Sequence, residues 1–285
     1  MSVRRPPASG PRGQHFLRSN RLAETIVREA RVAPGDLVVD LGAGGGALTA
    51  PLVRAGARVV AVERDSALVP ELRSRFPSAR VVQGDAIRWT WPEEPFAVVA
   101  NLPFAAAAGI LRSLLDDPRV PLRRADVIVQ WEFAAKHAAV WPSTMRSVHW
   151  GAWWRLSVSR RLAPSAFAPP PSVVAAVLTI RPLGEPLLEP SLSRAYGAFL
   201  GRAWGDAPVR RMLPAGDVKR LALEHGFDPG ARPRDLDARQ WAALYRRSMR
   251  TGSPGAPGRS RVATQTARAS PGEPRPGGGR SASSG

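Results

Sequence analysis

The stretch Leu37-Val38-Val39-Asp40-Leu41-Gly42-Ala43-Gly44-Gly45-Gly46 decides the fold. Its first five residues, apolar except for Asp40, read as a buried strand. The glycines let the chain turn tightly and approach a ligand without Cβ clashes. A helix over 47–55 follows, closed by Gly56. A strand, a glycine turn and a helix in that order form half of a nucleotide-binding unit, although such a turn also serves dinucleotide enzymes and structural bends.

Outward from this unit the pattern repeats. Strands are expected at 58–63, 80–83, 96–100 and 125–130, and helices at 22–30, 66–75, 109–115 and 131–140. This alternation predicts a mostly parallel, doubly wound sheet. The segments 154–162 and 173–180 have only a Pro-rich loop between them, too little for a crossover, so they are expected to pair antiparallel at one edge. Beyond Pro182 helical periodicity takes over, at 192–204, 218–225 (closed by Gly226) and 238–249, which predicts a small all-helical domain.

The strand ends carry the chemistry. Glu63 ends the second strand, where an acid can accept from two ribose hydroxyls. Asp85-Ala86 follows the third, where a carboxylate can accept from the amine of a cofactor adenine. The turn lacks the spacing of G-x-G-x-x-G, which favours S-adenosyl-L-methionine over NAD. The fourth strand ends in Asn101-Leu102-Pro103-Phe104. Pro103 holds Leu102 extended. The Asn101 amide oxygen and the Leu102 carbonyl can then both accept from an adenine N6 amine, while Phe104 can stack on the base.

Charge points to the partner. The net charge is +18; residues 251–285 hold five Arg and one acid, leaving +14 for the rest of the chain. A polyanion, above all RNA, is the expected partner. Arg160-Arg161, Arg210-Arg211, Arg246-Arg247, Arg112, Arg123 and Arg124 are candidate phosphate contacts. There is no cysteine, which excludes disulfides and thiolate chemistry and suits a cytoplasmic protein. No membrane span or secretory signal is read. His137, His149 and His225 have no ligand spacing, so no metal is expected. Trp141, Trp150, Trp153 and Trp154 are expected to pack the last strands or the seam with the helical part.

These motifs, in this order, resemble those of the rRNA adenine N6-dimethyltransferases, and within them the Erm macrolide-resistance branch. Gly13-Gln14-His15-Phe16-Leu17 is similar to the family's entry motif. Asp40–Gly46, Ala61-Val62-Glu63-Arg64-Asp65, Asp85-Ala86 and Asn101–Phe104 follow in its order, and Phe167-Ala168-Pro169-Pro170-Pro171-Ser172 is similar to its later aromatic-proline motif. The resemblance implies a Rossmann-like S-adenosylmethionine-dependent methyltransferase fold. It implies that His15 and Leu17 cover the cofactor, that Gly42 and Gly44 approach its methionine part, and that Glu63 and Asp85 hold its ribose and adenine. It places Asn101 beside both cofactor and target, with Phe104 and Phe167 sandwiching the target base. His15 stands where Asn is usual, Ala105–Ala108 where hydroxyl residues are frequent, and Val174 where an acid is common.

The expected organisation is a flexible basic arm over 1–12, a catalytic domain over 13–182, a helical RNA-binding domain over 183–250 and a disordered tail over 251–285. The expected function is N6-methylation of an adenine in 23S rRNA at the peptidyl-transferase region by a monomer, giving macrolide-lincosamide-streptogramin B resistance. Asp40, Ala43 and Phe104 favour this over the small-subunit 16S dimethylase, whose turn usually reads E-I-G-P-G and whose target motif usually ends in Tyr. A non-catalytic nucleic-acid binder on the same fold is the alternative of another class.

Overall fold

The computed structural model describes residues 15–205 and 207–251. The expected basic arm, Gly13-Gln14 and almost all of the expected tail lie outside them.

Seven strands form the main sheet. The parallel part comprises β2 (Leu37–Leu41), β3 (Arg58–Glu63), β4 (Arg80–Gln83), β5 (Phe96–Asn101) and β6 (Leu122–Gln130), where β1 (Phe16–Leu17) is a short strand outside this sheet. Two long strands, β7 (Trp154–Leu162) and β9 (Ala175–Pro182), complete it, and the order is β4-β3-β2-β5-β6-β9-β7. β9 runs antiparallel to both β6 and β7, so the expected edge hairpin is present. The chain leaves β2 toward β3 on one side and returns as β5 on the other. The glycine turn therefore sits at the switch point where open sheets bind ligands.

All five residues of β2 are buried, as expected for a central parallel strand covered on both faces. The sheet's period-2 alternation divides the core. Val38, Val59, Ala61, Val99, Ile128 and Val177 face one apolar cluster with α1 (Asn20–Glu29), α2 (Thr49–Arg54) and α3 (Val69–Arg75). Val39, Leu41, Val60, Val62, Val98 and Val127 face the other with α4 (Ala107–Leu115).

That second cluster continues without a break into the C-terminal helices α7 (Ser193–Ala203), α8 (Ala215–His225) and α9 (Ala238–Thr251). Tyr196, Phe199, Trp241 and Tyr245 share it with Trp150, Trp153 and Trp154, all buried. The helical part thus has no core separate from that of the sheet. The indole N–H groups are satisfied: Trp153 donates across the seam to the Leu188 carbonyl at 2.7 Å, while Trp150 donates to Asp116 at 2.7 Å and Trp154 to the Leu115 carbonyl at 3.2 Å, both at the end of α4. Trp141 departs from this expectation. It is 57% exposed, beside Val140 at 54%, because it lies in the loop after α5 (Trp131–Ala138) rather than on a packed element.

One helix and one pair of two-residue strands escaped the sequence pattern. The helix is α6 (Met145–Gly151), whose start is a capping box between Thr144 and Ser147. That spacing is the signal that finds it. The strands are β8 (Phe167–Ala168) and β1, which pair antiparallel. Two residues are too few to show a period. Among the described residues no helix is long and apolar enough to cross a membrane, and no group of three or more His, Asp or Glu is placed to hold a metal.

Candidate active site

The C-terminal ends of β2, β3, β4 and β5 open into a cavity of about 670 Å³. Gly42, Glu63, Asp85, Ala86, Asn101, Leu102, Pro103, Phe104 and His15 all line it. The structure thus brings together residues that the sequence scatters over 90 positions.

Glu63 is 2% exposed. Its Oε2 accepts from the Gly44 N–H at 2.7 Å and its Oε1 from the Asp65 N–H at 2.8 Å. Each oxygen keeps a further lone pair, so the carboxylate can accept from a pair of vicinal hydroxyls. It also ties the end of β3 to the glycine turn, fixing one wall of the cavity. Gly44 acts through this bond and is not itself on the cavity wall. Its φ is +56°, and a Cβ there would lie 2.6 Å from Phe16 Cε1, so only glycine fits.

Asp85 uses one oxygen to accept the Ile87 N–H at 2.9 Å. The other oxygen is left for a ligand. Gly42, with φ +71°, brings the turn to the Asn101–Pro103 wall: a Cβ on it would stand 3.5 Å from Pro103 Cδ and 3.7 Å from the Asn101 carbonyl oxygen. Three acceptor groups around a glycine-floored cavity fit a nucleoside bearing an amino-acid tail.

Below the floor, Asp40 is 1% exposed and accepts from Thr49 Oγ1 at 2.7 Å. Burial pushes its carboxyl up to about 7, against the Thr49 hydrogen bond and with a smaller push from Glu63. The folded protein therefore holds a proton that the unfolded chain releases above about 4. The stabilising balance is complete below that pH and is lost as pH rises through about 7. Asp40→Asn keeps an acceptor for Thr49 and removes the titration. Its melting temperature relative to wild type should rise steadily between pH 4 and pH 7.5; thermal melts across that range check it.

Asn101 is the pivot of the site. Its Nδ2 donates to the His15 carbonyl at 2.7 Å. Only the nitrogen end can donate to a carbonyl, so Oδ1 is turned out as a free acceptor. His15 is itself anchored, with Nδ1 2.8 Å from the Pro169 carbonyl oxygen and its ring 5.6 Å from that of Phe104 at 37°. The His15 carbonyl thus meets the Asn101 amide, a contact any residue could make, and the His15 ring packs beside Phe104, which depends on the histidine.

Two expected site residues do not line the cavity in this structure, Phe167 and Leu17. Phe167 is completely buried. Its pairing with Leu17 turns the ring into the cluster that also holds Leu162, Ala175 and Val177, and Phe104 packs against this same cluster. Leu17 packs against the same cluster, and its neighbour Phe16 lines the cavity instead. Phe16 was not singled out from the sequence; its position at the turn-facing end of a two-residue strand left no periodic signal.

The arginines also sort differently from the sequence expectation. Arg123 and Arg124 lie at the start of β6, the end of the sheet opposite the cavity, and pair with Asp36 and Asp126. Arg160 pairs with Glu29, Arg247 with Asp217, and Arg246 donates to the Leu187 carbonyl. These side chains are engaged within the fold. Arg161 has no carboxylate partner among the described residues, and its guanidinium lies 4.1 Å from the centre of the Trp131 ring.

The sheet order and this strand-end cavity define a Rossmann-like methyltransferase. The chain belongs to the ribosomal RNA adenine dimethylase family, whose sequence profile matches residues 11–199; it is an rRNA adenine N6-methyltransferase. It is 34% identical over 265 residues to the mycinamicin-resistance protein MyrB of Micromonospora griseorubida, covering 89% of this chain and 85% of that one. It is 32% identical over 255 residues to the ribosomal RNA small subunit methyltransferase A of Thermosynechococcus vestitus, covering 81% and 93%. The solved structure of the 23S rRNA methyltransferase ErmE superposes with a TM-score of 0.71 at 26% identity, covering 81% of this chain and 98% of that one.

Proposed function

We propose that this enzyme transfers a methyl group from S-adenosyl-L-methionine to N6 of one adenine in 23S rRNA at the peptidyl-transferase region, acting as a monomer in the cytoplasm and conferring resistance to macrolide, lincosamide and streptogramin B drugs. The observation that carries the chemistry is the Asn101 amide, which lines the cavity and whose Nδ2 is bound to the His15 carbonyl, leaving Oδ1 as the acceptor.

When bound, S-adenosyl-L-methionine supplies a methyl group on a sulfonium that leaves as a neutral thioether. Glu63, held by the Gly44 N–H, would take the ribose hydroxyls, Asp85 the cofactor adenine, and Gly42 would give the tail room. For the target, Asn101 Oδ1 and the Leu102 carbonyl accept the two N6 hydrogens. An exocyclic amine is a weak nucleophile because its lone pair is delocalised into the ring. Drawing both N–H bonds toward fixed acceptors pulls the nitrogen out of conjugation and directs the lone pair. Phe104 stacks on the base and holds its plane. The proton lost from N6 passes to water, so no general base is needed; positioning is the main source of rate.

The 23S assignment has its own support. It rests on Asp40, Ala43 and Phe104 and on the likeness to MyrB and ErmE, while small-subunit methyltransferases are relatives too. Incubation with protein-free 23S and 16S rRNA and labelled cofactor separates them. Label is expected in 23S rRNA; label confined to 16S rRNA would overturn the assignment.

The charge makes a further prediction. A chain of net +18 that binds RNA through phosphates releases counterions, so its affinity should fall on the order of 100-fold or more between 50 and 200 mM salt. Filter binding at stepped salt concentrations measures the slope. A flat response would show that the basic surface does not contact the RNA.

A further inference from the structure

We infer that Arg161, held on the ring of Trp131, is the anchor for an RNA phosphate beside the target adenine. The inference rests on the reading of the protein as an rRNA methyltransferase and adds a positioning residue to it.

The register places this pair at the catalytic end of the sheet. Asn101 pairs with Ile128 on β6, and the Leu102 N–H donates to the Ile128 carbonyl at 3.2 Å. Two residues on, β6 ends at Gln130, and Trp131 begins α5 with its N–H bonded to the Val174 carbonyl at 2.9 Å. Arg161 on β7 lies across from Ala176 of β9, whose other neighbour is Val129 of β6. Its side chain is therefore borne at the same end of the sheet as the cavity, on the edge strand that β9 and β6 separate from the target motif.

The chemistry of the pair singles it out. Trp131 is half-buried against the core, so its ring is a fixed surface. The Arg161 guanidinium lies 4.1 Å from the ring centre, which limits its motion without consuming its N–H donors. Among the described residues it has no carboxylate partner, although Glu132 is the next residue of α5; its neighbour Arg160 is neutralised by Glu29. An exposed, pre-oriented guanidinium with unused N–H groups matches a phosphate in bidentate geometry. A packing role alone would leave unexplained why one of two adjacent arginines is paired and the other is held on a ring, uncompensated, at the catalytic end of the sheet.

The test uses the full chain and a transcript spanning the peptidyl-transferase loop of 23S rRNA. Arg161→Gln is expected to raise KM for the RNA about tenfold, with kcat within about twofold and cofactor affinity unchanged. It should also make the slope of log affinity against log salt shallower by about one. Arg161→Lys should restore part of the KM, because it keeps the charge but loses the planar fork. Trp131→Leu, which keeps the arginine and removes its support, should raise KM as well. Unchanged KM and salt slope in Arg161→Gln would overturn the inference, as would a loss of kcat and cofactor binding together, which marks a structural role. If the wild-type enzyme transfers no methyl group to rRNA, the parent reading fails, whereas the salt slope still reports on Arg161.

Discussion

Replacing Asn101 by Ala should lower the single-turnover rate of methyl transfer by about three orders of magnitude, with RNA binding nearly intact. The size follows from what is removed: a fixed acceptor aimed at a nitrogen that must change its electronic state, an interaction strongest in the transition state. The sharper test is Asn101→Asp. It keeps oxygen acceptors and nearly the same shape. It cannot donate to the His15 carbonyl, however, and places a carboxylate 2.7 Å from it where Nδ2 stood. Repulsion should swing the side chain away, and the rate should fall almost as far as in the alanine variant. Rapid-quench measurement at saturating RNA and cofactor reads both. An aspartate variant of near wild-type rate would show that the His15 contact does not orient the amide.

Glu63→Ala should weaken cofactor binding by about 100-fold, since charge-assisted hydrogen bonds contribute about 1.5–3 kcal/mol each. Loss of the ribose acceptors is part of this. The rest comes from the Gly44 and Asp65 N–H groups, which lose their shared partner in a buried place. Glu63→Gln keeps one oxygen for one of those N–H groups and should fall between alanine and wild type. Calorimetric titration with S-adenosyl-L-methionine measures the effect, and RNA affinity serves as the control. Equal cofactor affinity in wild type and alanine variant would remove Glu63 from the site.

The frame of this fold was legible because it is periodic. β2 announces itself by its apolar run into glycines, β3 to β6 by recurring short apolar segments, and the edge hairpin by a connection too short for a crossover. Glu63, Asp85 and Asn101 were legible because strand ends at a switch point are where ligands bind. What stayed hidden depends on contacts between distant segments. The direction of the Phe167 ring is set by pairing with Leu17, 150 positions earlier. The orientation of the Asn101 amide is set by the His15 carbonyl, 86 positions away. No local pattern encodes either.

The arginines teach the same lesson about charge. Composition gives the sum, but only the fold tells a compensated cation such as Arg124, bound to buried Asp126, from an uncompensated one such as Arg161. The tryptophans divide likewise. Trp150, Trp153 and Trp154 bind the C-terminal helices to the sheet, whereas Trp141 stands in solvent. Helices that share their core with the catalytic sheet are held against it, which suits a surface that must present one adenine to a cavity at fixed geometry.

The most direct test of the central claim is primer extension across 23S rRNA from cells expressing the protein, paired with mass spectrometry of the digested RNA. The account predicts a new N6-methylated adenosine at a single position in the peptidyl-transferase region, absent from cells expressing Asn101→Ala. Unmodified 23S rRNA in cells containing the folded wild-type protein would contradict it.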